Sequence, residues 1–345
     1  MRCAPLLAVA LVAAGCRVEV GPPEARQTAA AAHGPSGLVM VYTSMYREVI
    51  DAVKPTLAEA LPGVEVKWLQ GGSEKLATRL DAELAAGAPQ ADLVLTSDPL
   101  WYERLRREGH LLPYASLPAL RLRRDLIHPT GAYLTSRLST MVIAYNSRLV
   151  SEDEAPRTFA ALFDDRWAGK VTCPDPLASG TAFSTLAQLL HHEGPGLLAR
   201  MKAAKLVASG GNSSAFTRLE SGEHQVGFVL LENVLAARAK GSPVAYRIPD
   251  EGAVPVPGPL AILKAGPNPE AAKAVYDLIL SEPVQRAIVA AHMHGVFEDL
   301  PPPDDAPDLT HVLDTRYRFT PEFVDATVEE AQAIRQRFAE AMGAP

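Results

Sequence analysis

Short apolar runs alternate with amphipathic stretches along the chain from residue 38 onward. Residues 38–42 are continuously apolar, which is typical of a strand covered on both faces. The elements predicted next are helices at 47–60 and 74–86 and strands at 64–69 and 93–95. This alternation of strand and helix predicts a parallel sheet with helices on both faces.

A second series of elements begins after about residue 136. Its predicted strands lie at 141–145, 170–173 and 226–231, and its predicted helices at 181–192, 196–205, 213–220 and 232–240. A run rich in proline and glycine, residues 252–259, separates this series from a strand at 260–263 and helices at 269–280 and 283–291. A linker at 300–308 then precedes a final amphipathic helix at 321–341.

Length and composition limit the class of protein. A chain of 345 residues is too long for a single compact core, so two lobes are expected. The net charge of −7, with no cluster of basic and aromatic residues, argues against nucleic-acid binding. No Cys/His set has the spacing of a zinc site, and neither a metal nor a cofactor is expected.

The N-terminus has the layout of a secretory signal. A basic start is followed by an apolar run at 5–14 and by small residues directly before Cys16. This resembles a bacterial lipobox, so residues 1–16 are predicted to be a lipoprotein signal peptide with Cys16 acylated. The alternative is cleavage near Ala14 without a lipid. Residues 17–37 are predicted to be a flexible tether.

Polar loops follow the predicted strands where helices begin. In open α/β sheets ligands bind beyond the carboxyl ends of the strands, and helix N-termini suit anionic groups. The alternative for any one loop is that its polar residues only cap a helix. Because several such loops recur, we expect a shared ligand site formed by Thr43, Ser44, Tyr46, Gly72, Ser73, Ser97, Asp98, Ser179, Gly180, Thr181, Asn212, Ser213, Ser214, Glu232 and Asn233.

Catalytic motifs are missing from the sequence. It contains no G-x-S-x-G elbow and no phosphate-binding G-x-x-x-x-G-K-[ST] loop, and no G-x-G-x-x-G follows the first strand. No nucleophile with a matching base is apparent. The chain is therefore not expected to be an enzyme.

Several segments together resemble the bacterial extracellular solute-binding proteins related to ferric-iron-binding periplasmic proteins, a group that also binds phosphonates, sugar phosphates and thiamine. The resemblance covers about residues 38–297. Its matching segments are Val41-Tyr42-Thr43-Ser44, Ala91-Asp92-Leu93-Val94, Ile143-Ala144-Tyr145-Asn146, Trp167-Ala168-Gly169-Lys170-Val171, Asp175-Pro176-Leu177-Ala178-Ser179-Gly180-Thr181, Val226-Gly227-Phe228 and Asn268-Pro269-Glu270-Ala271-Ala272.

This resemblance implies an α/β, two-lobed periplasmic-binding-protein fold (type II) with a ligand cleft between the lobes. The expected lobes are residues 38–134 plus 256–300 and residues 135–255 plus 301–345. Lobe closure would trap a small-molecule solute for an ABC permease and ATPase complex. The implied location is the periplasmic side of a bacterial membrane, with a monomer held there by its lipid anchor only.

The ligand is not fixed by the resemblance. Ferric binders of this group usually carry adjacent tyrosines where this chain reads Leu230-Leu231-Glu232-Asn233, and Tyr46 is the remaining phenol near the site. A small organic anion is therefore favoured, with ferric iron as one alternative and a sensory or structural lipoprotein without a transport role as another. Arg137, near the crossover between lobes, is interpreted as an inter-lobe or surface ion pair, or else as a partner of the anion.

Overall fold

The computed structural model describes residues 34–343. The predicted signal peptide, the acylated Cys16 and the tether up to residue 33 lie outside the described residues. Gly37, predicted as the end of the tether, is the first residue of a strand.

Ten strands and eleven α-helices, joined by turns and short 3₁₀ segments, lie within residues 34–343. The strands are β1 (Gly37–Thr43), β2 (Val64–Gln70), β3 (Leu93–Leu95), β4 (Leu111–Leu112), β5 (Leu134–Asn146), β6 (Val171–Cys173), β7 (Val207–Ala208), β8 (Val226–Leu230), β9 (Val244–Arg247) and β10 (Val254–Leu263). The helices are α1 (Arg47–Ala60), α2 (Ser73–Ala85), α3 (Pro99–Arg107), α4 (Gly180–Glu193), α5 (Gly196–Ala203), α6 (Asn212–Glu220), α7 (Leu231–Arg238), α8 (Pro269–Ile279), α9 (Glu282–Ala290), α10 (Leu309–Leu313) and α11 (Pro321–Met342).

The strands form one continuous sheet in the order β2-β1-β3-β10-β5-β8-β6-β7, with β4 paired to β10 and β9 paired to β5. Both ends of the sheet are parallel, as the alternation of strands and helices predicts: β1 pairs with β2 and β3, and β6 pairs with β7 and β8. The centre is antiparallel, because β10 and β5 pair with each other and with the strands beside them. Two parallel α/β halves are thus joined through one antiparallel pair.

That central pair corrects two sequence predictions. β5 has 13 residues where a strand at 141–145 was predicted, and β10 runs without a break through the proline-rich run that was predicted to separate elements. Pro255, Pro257 and Pro259 are spaced by two, so their missing N–H groups fall on one edge of the strand. The other edge pairs with β5 over this stretch.

Each half of the sheet has its own apolar core. The largest buried cluster joins β1, α1, α8 and α9, and the second joins β8, α4, α5 and α11. Burial of a single Leu or Phe side chain contributes about 1.5–3 kcal/mol, so each cluster can hold its half together. Leu309 and Leu313 of α10 pack into the first cluster. The exact lobe boundaries remain a prediction.

No helix within residues 34–343 is both long enough and apolar enough to cross a membrane.

Candidate functional site

A cavity of about 270 Å³ lies where the polar loops of both halves meet. Its lining includes the residues predicted from the sequence at Ser44, Tyr46, Gly72, Ser73, Ser97, Ser179, Thr181, Asn212, Ser213, Ser214 and Glu232. These residues follow β1, β2, β3 and β8 or open α4 and α6. They converge because the carboxyl ends of parallel strands lie at one edge of each half of the sheet.

Four of the predicted residues do not line the cavity. Thr43 is fully buried, and its Oγ1 accepts a hydrogen bond from the Met45 N–H at 3.1 Å. Asp98 caps α3, and Gly180 is the first residue of α4. Asn233 is half-buried on α7. For Thr43 and Asp98 the structure shows local turn and capping contacts instead.

Two helices begin at the cavity without a side-chain cap. Gly72 precedes α2 and Gly211 precedes α6, and neither helix start receives a side-chain hydrogen bond at its cap. A helix start leaves N–H groups unpaired and carries partial positive charge. The two starts therefore favour an anionic group in the cavity.

Three polar side chains on the α4 and α6 side are already bonded to one another. Asn212 Nδ2 donates to Ser179 Oγ at 3.2 Å and to Thr181 Oγ1 at 3.0 Å. Ser179 Oγ also accepts from the Ala182 N–H at 3.3 Å, which caps α4. This network fixes the orientation of hydroxyl and amide groups at the cavity wall.

Arg137 of β5 also lines the cavity. Its side chain is 1% exposed, and Nη2 donates to Ser97 Oγ at 2.9 Å while Nη1 donates to Ser139 Oγ at 3.2 Å. No carboxylate of residues 34–343 lies within 4 Å of the guanidinium, so the predicted ion pair is wrong. Burial lowers the pKa of Arg137, an effect that the carboxylate of Glu232 opposes.

Arg137 is one of the lining residues outside the predicted set, although binding the anion was one of its two interpretations. Its signal in the sequence is its place near the crossover between lobes. A single arginine between serine and leucine does not show which face of the sheet it occupies.

Glu232 of α7 is 5% exposed. Burial raises its pKa to about 7, although hydrogen bonds and the charge of Arg137 oppose this shift. Oε2 accepts a long hydrogen bond from the Thr140 N–H at 3.4 Å, and Oε1 has no partner among the described residues. The carboxyl group can therefore accept or donate one more hydrogen bond near neutral pH.

Unsatisfied polar atoms converge on this cavity. Within the described part of the chain, Tyr46 Oη, Arg137 Nε and Glu232 Oε1 are buried without hydrogen-bond partners. Burial also raises the pKa of Tyr46. A buried polar group without a partner costs about 1–3 kcal/mol, and a bound ligand can recover that cost.

A larger cavity of about 430 Å³ lies against the opposite face of β10, where Pro255 and Pro257 point away from Gly258. Its lining is mainly apolar, and none of the unpartnered buried atoms described above belongs to it. The smaller cavity is therefore the candidate ligand site.

Metal ligands are sparse in the described residues. No group of three or more His, Cys, Asp and Glu side chains is arranged to hold a metal ion between residues 34 and 343. At the cavity itself, Tyr46 is the single phenol and Glu232 the single carboxylate.

Three solved structures share this fold. The periplasmic binding protein P5PA has a TM-score of 0.77 at 20% identity, over 89% of this chain and 100% of that one. Iron-bound HitA from Pseudomonas aeruginosa has a TM-score of 0.76 at 20% identity, over 88% of this chain and 99% of that one. AfuA from Actinobacillus pleuropneumoniae, with fructose-6-phosphate bound, has a TM-score of 0.78 at 18% identity, over 91% of this chain and 100% of that one. The predicted two-lobed periplasmic-binding-protein fold is confirmed.

Sequence comparison identifies the family. An uncharacterized protein from Haemophilus influenzae is 25% identical over 259 residues, which are 71% of this chain and 73% of that protein. Residues 38–294 match the family of bacterial extracellular solute-binding proteins, which are transport components outside the cytoplasm and not enzymes. Because this match spans well over half of the chain, the protein belongs to the bacterial extracellular solute-binding protein family.

Proposed function

We propose that the protein is a lipoprotein, anchored through Cys16, that captures a small organic anion by hinge closure and delivers it to an ABC permease and ATPase complex. The proposed ligands are a phosphonate, a phosphate ester or another oxyanion. The observation that carries the proposal is the buried guanidinium of Arg137 in the cavity wall, which has no carboxylate within 4 Å among residues 34–343.

Charge at the cavity supports an anion. Arg137 is the single cationic side chain in the lining, and the uncapped starts of α2 and α6 add partial positive charge. A charge-assisted hydrogen bond to a guanidinium contributes about 1.5–3 kcal/mol. An anionic ligand would supply the missing counter-charge.

Glu232 supports a ligand with a second polar group. Its unpartnered Oε1 can accept a hydrogen bond from a hydroxyl or amine of the same molecule. A phosphorylated sugar or an aminophosphonate has both groups. AfuA, which has the same fold, holds fructose-6-phosphate.

Ferric iron is the alternative within the same family, since HitA holds iron on this fold. One tyrosine and one carboxylate, Tyr46 and Glu232, are fewer hard anionic donors than a ferric site needs. The donor set therefore favours the organic anion.

A thermal-shift screen tests the proposal. The purified protein is melted with fructose-6-phosphate, inorganic phosphate, a phosphonate, a carboxylate, thiamine and Fe³⁺. A ligand at about a hundred times its dissociation constant stabilises the protein by ~2.7 kcal/mol. If Fe³⁺ is the sole stabilising compound and gives a visible phenolate-to-iron band, the ligand is ferric iron and not an organic anion.

Variants in the same screen test the site. Replacing both Ser179 and Thr181 by alanine should abolish the shift, whereas Thr217→Ala, an exposed position on α6, should keep it. An unchanged thermal shift in the double variant would show that the anion binds at another place in the protein. Binding without solute uptake by cells would favour the sensory alternative over transport.

A further inference from the structure

The guanidinium of Arg335 touches helices from both halves of the protein. Its Nη2 lies 3.0 Å from Oε1 of Glu74 and 3.3 Å from Oδ2 of Asp98. Glu74 is in the first turn of α2, and Asp98 is the N-cap of α3. On the other side, the guanidinium carbon stacks over the ring of Phe183 of α4 at 3.5 Å.

Helix α11, which carries Arg335, contributes its buried apolar residues to the cluster around α4 and α5. Ile334 and Phe338 of α11 are buried in the same apolar cluster as Phe183. Leu76 of α2 and Leu105 of α3 belong to a different cluster, whereas Leu100 of α3 lies in the same cluster as α11. Separating α11 from α2 and α3 would break the apolar contact of Leu100 together with the ion pairs of Arg335, one of which joins the buried carboxylate of Asp98.

These contacts adjoin the ligand cavity. A Cβ placed on Gly180 would lie 2.9 Å from the Cβ atoms of both Asp98 and Ser73. Ser73 and Ser97, next to Asp98, line the cavity. The start of α4 thus rests directly on the starts of α2 and α3, and Arg335 bonds to the same two helix starts.

Without Arg335 the same place would hold two facing carboxylates. Asp98 has a side chain 4% exposed, and Glu74 one 23% exposed. Burial is the main cause that raises the pKa of both carboxyl groups, and the charge of Asp98 raises the pKa of Glu74 further. The charge of Arg335 lowers both pKa values. One cation is shared between a buried acid, Asp98, and a partly buried one, Glu74, so its removal replaces attraction with repulsion.

We infer that Arg335 is a positioning residue for ligand binding: it latches α11 and α4 of one lobe to α2 and α3 of the other and so favours the closed cavity. Arg107 of α3 forms a more exposed contact farther along α11, with Asp325 at 2.7 Å. The latch operates before a ligand binds, so it does not depend on which solute the protein takes.

Pulsed electron double resonance tests the latch without any ligand. Spin labels are placed at Lys54→Cys on α1 and Lys202→Cys on α5, both exposed, in the full chain with Cys3 and Cys16 replaced by serine. Cys173 is buried and free. Arg335→Ala should shift the distance distribution to longer values, and Arg335→Lys should fall between it and the parent protein.

Two further variants separate a latch from a general structural role. Glu74→Gln in the Arg335→Ala background should move the distances back toward the parent, because it removes the repulsion with Asp98. Arg337→Ala is the matched control, since Arg337 is on the same helix and pairs with Glu330 of its own helix at 3.5 Å. It should leave the distances unchanged.

Salt gives a readout that needs no change at Arg335. Raising KCl to ~1 M, where the screening length is ~3 Å, should lengthen the distances in the parent and lengthen them less in Arg335→Ala, where salt also screens the repulsion between Glu74 and Asp98. Equal distributions for Arg335→Ala and Arg337→Ala in folded proteins, or no salt response in the parent, would overturn the latch. A failed ligand screen would leave these results unaffected.

Discussion

Arg137 and Gly258 lie opposite each other in the ladder between β5 and β10, and a Cβ on Gly258 would come within 2.7 Å of Arg137 Cγ. The glycine leaves room for a long charged side chain inside a strand pair that joins the two lobes. The register of the ladder shifts directly after it, between Gly258 and Pro259. The position of the buried guanidinium thus depends on a residue 121 positions away in the sequence.

Gly258→Ala should displace Arg137 and weaken anion binding. Overpacking of this kind costs about 1–3 kcal/mol of unfolding free energy. Urea unfolding and titration with the ligand from the screen measure both effects. Gly196→Ala is the control, because no atom lies within 4 Å of a Cβ there. Unchanged stability and binding in Gly258→Ala would contradict the close packing.

Arg137→Gln should weaken anion binding about 10–100-fold, from the loss of a charge-assisted hydrogen bond of about 1.5–3 kcal/mol. Calorimetric titration with the stabilising anion measures the loss. The exposed Arg157, changed to Gln, is the control. Equal affinity in Arg137→Gln and the parent would remove Arg137 from the proposed site.

Gly180→Ala should hold the lobes apart. The added methyl group would lie 2.9 Å from the Cβ atoms of Ser73 and Asp98 and 3.0 Å from the carbonyl oxygen of Ser97, at the starts of α2 and α3. The expected result is a larger radius of gyration in solution scattering and the loss of the ligand-induced thermal shift. A compact Gly180→Ala protein that binds as tightly as the parent would show that the contact is not essential for closure.

Glu232→Gln should make the protein more stable at alkaline pH. The folded-state pKa of Glu232 is raised from 4.5 to about 7, so the folded protein binds this proton more tightly than the unfolded chain does. The contribution of Glu232 to the unfolding free energy is fully present below pH ~4.5. It decreases by about 3 kcal/mol as pH rises through ~7.

Urea unfolding of the two proteins at several pH values checks this. Glu232→Gln and the parent should agree at acid pH and diverge up to pH 8, with the variant more stable. Glu59→Gln, at an exposed position of α1, should follow the parent throughout. A parent protein that is more stable than Glu232→Gln at pH 8 would show that folding does not raise the pKa of Glu232.

Cys16→Ser should release the protein from the membrane fraction, because the acylated sulfur is the proposed anchor. Cell fractionation with immunoblotting measures the distribution. Cys3→Ser, inside the predicted signal peptide, should leave the protein in the membrane fraction. A Cys16→Ser protein that remains membrane-bound would contradict lipidation at this cysteine.

Local pattern predicted much of the fold. The apolar run before Thr43 and the amphipathic residues after Arg47 form β1 and α1, and α4 begins at Gly180, within one residue of its prediction. These features are readable because burial on both faces of a strand and on one face of a helix requires a specific spacing of apolar residues. The same strand ends carried the polar loops, so most of the cavity lining was predicted with them.

Local pattern was misleading where one residue has two possible roles. Asp98 has the same appearance in sequence whether it caps a helix or faces a ligand, and the structure places it at the cap and beside Arg335. Prolines at 255, 257 and 259 read as a break, yet they continue β10, which pairs with β5 over this stretch. Each outcome depends on what a distant segment places beside the residue.

The sequence by itself determined the alternation of strands and helices, the polar helix starts at the strand ends and, through its motifs, the family resemblance. Only the tertiary structure decided that Arg137 enters the cavity and that Arg335 reaches Glu74 and Asp98. The reason is physical: periodicity records which side of an element is buried, whereas a contact between lobes depends on the register of β5 with β10 and on the packing of α11, which no local spacing encodes.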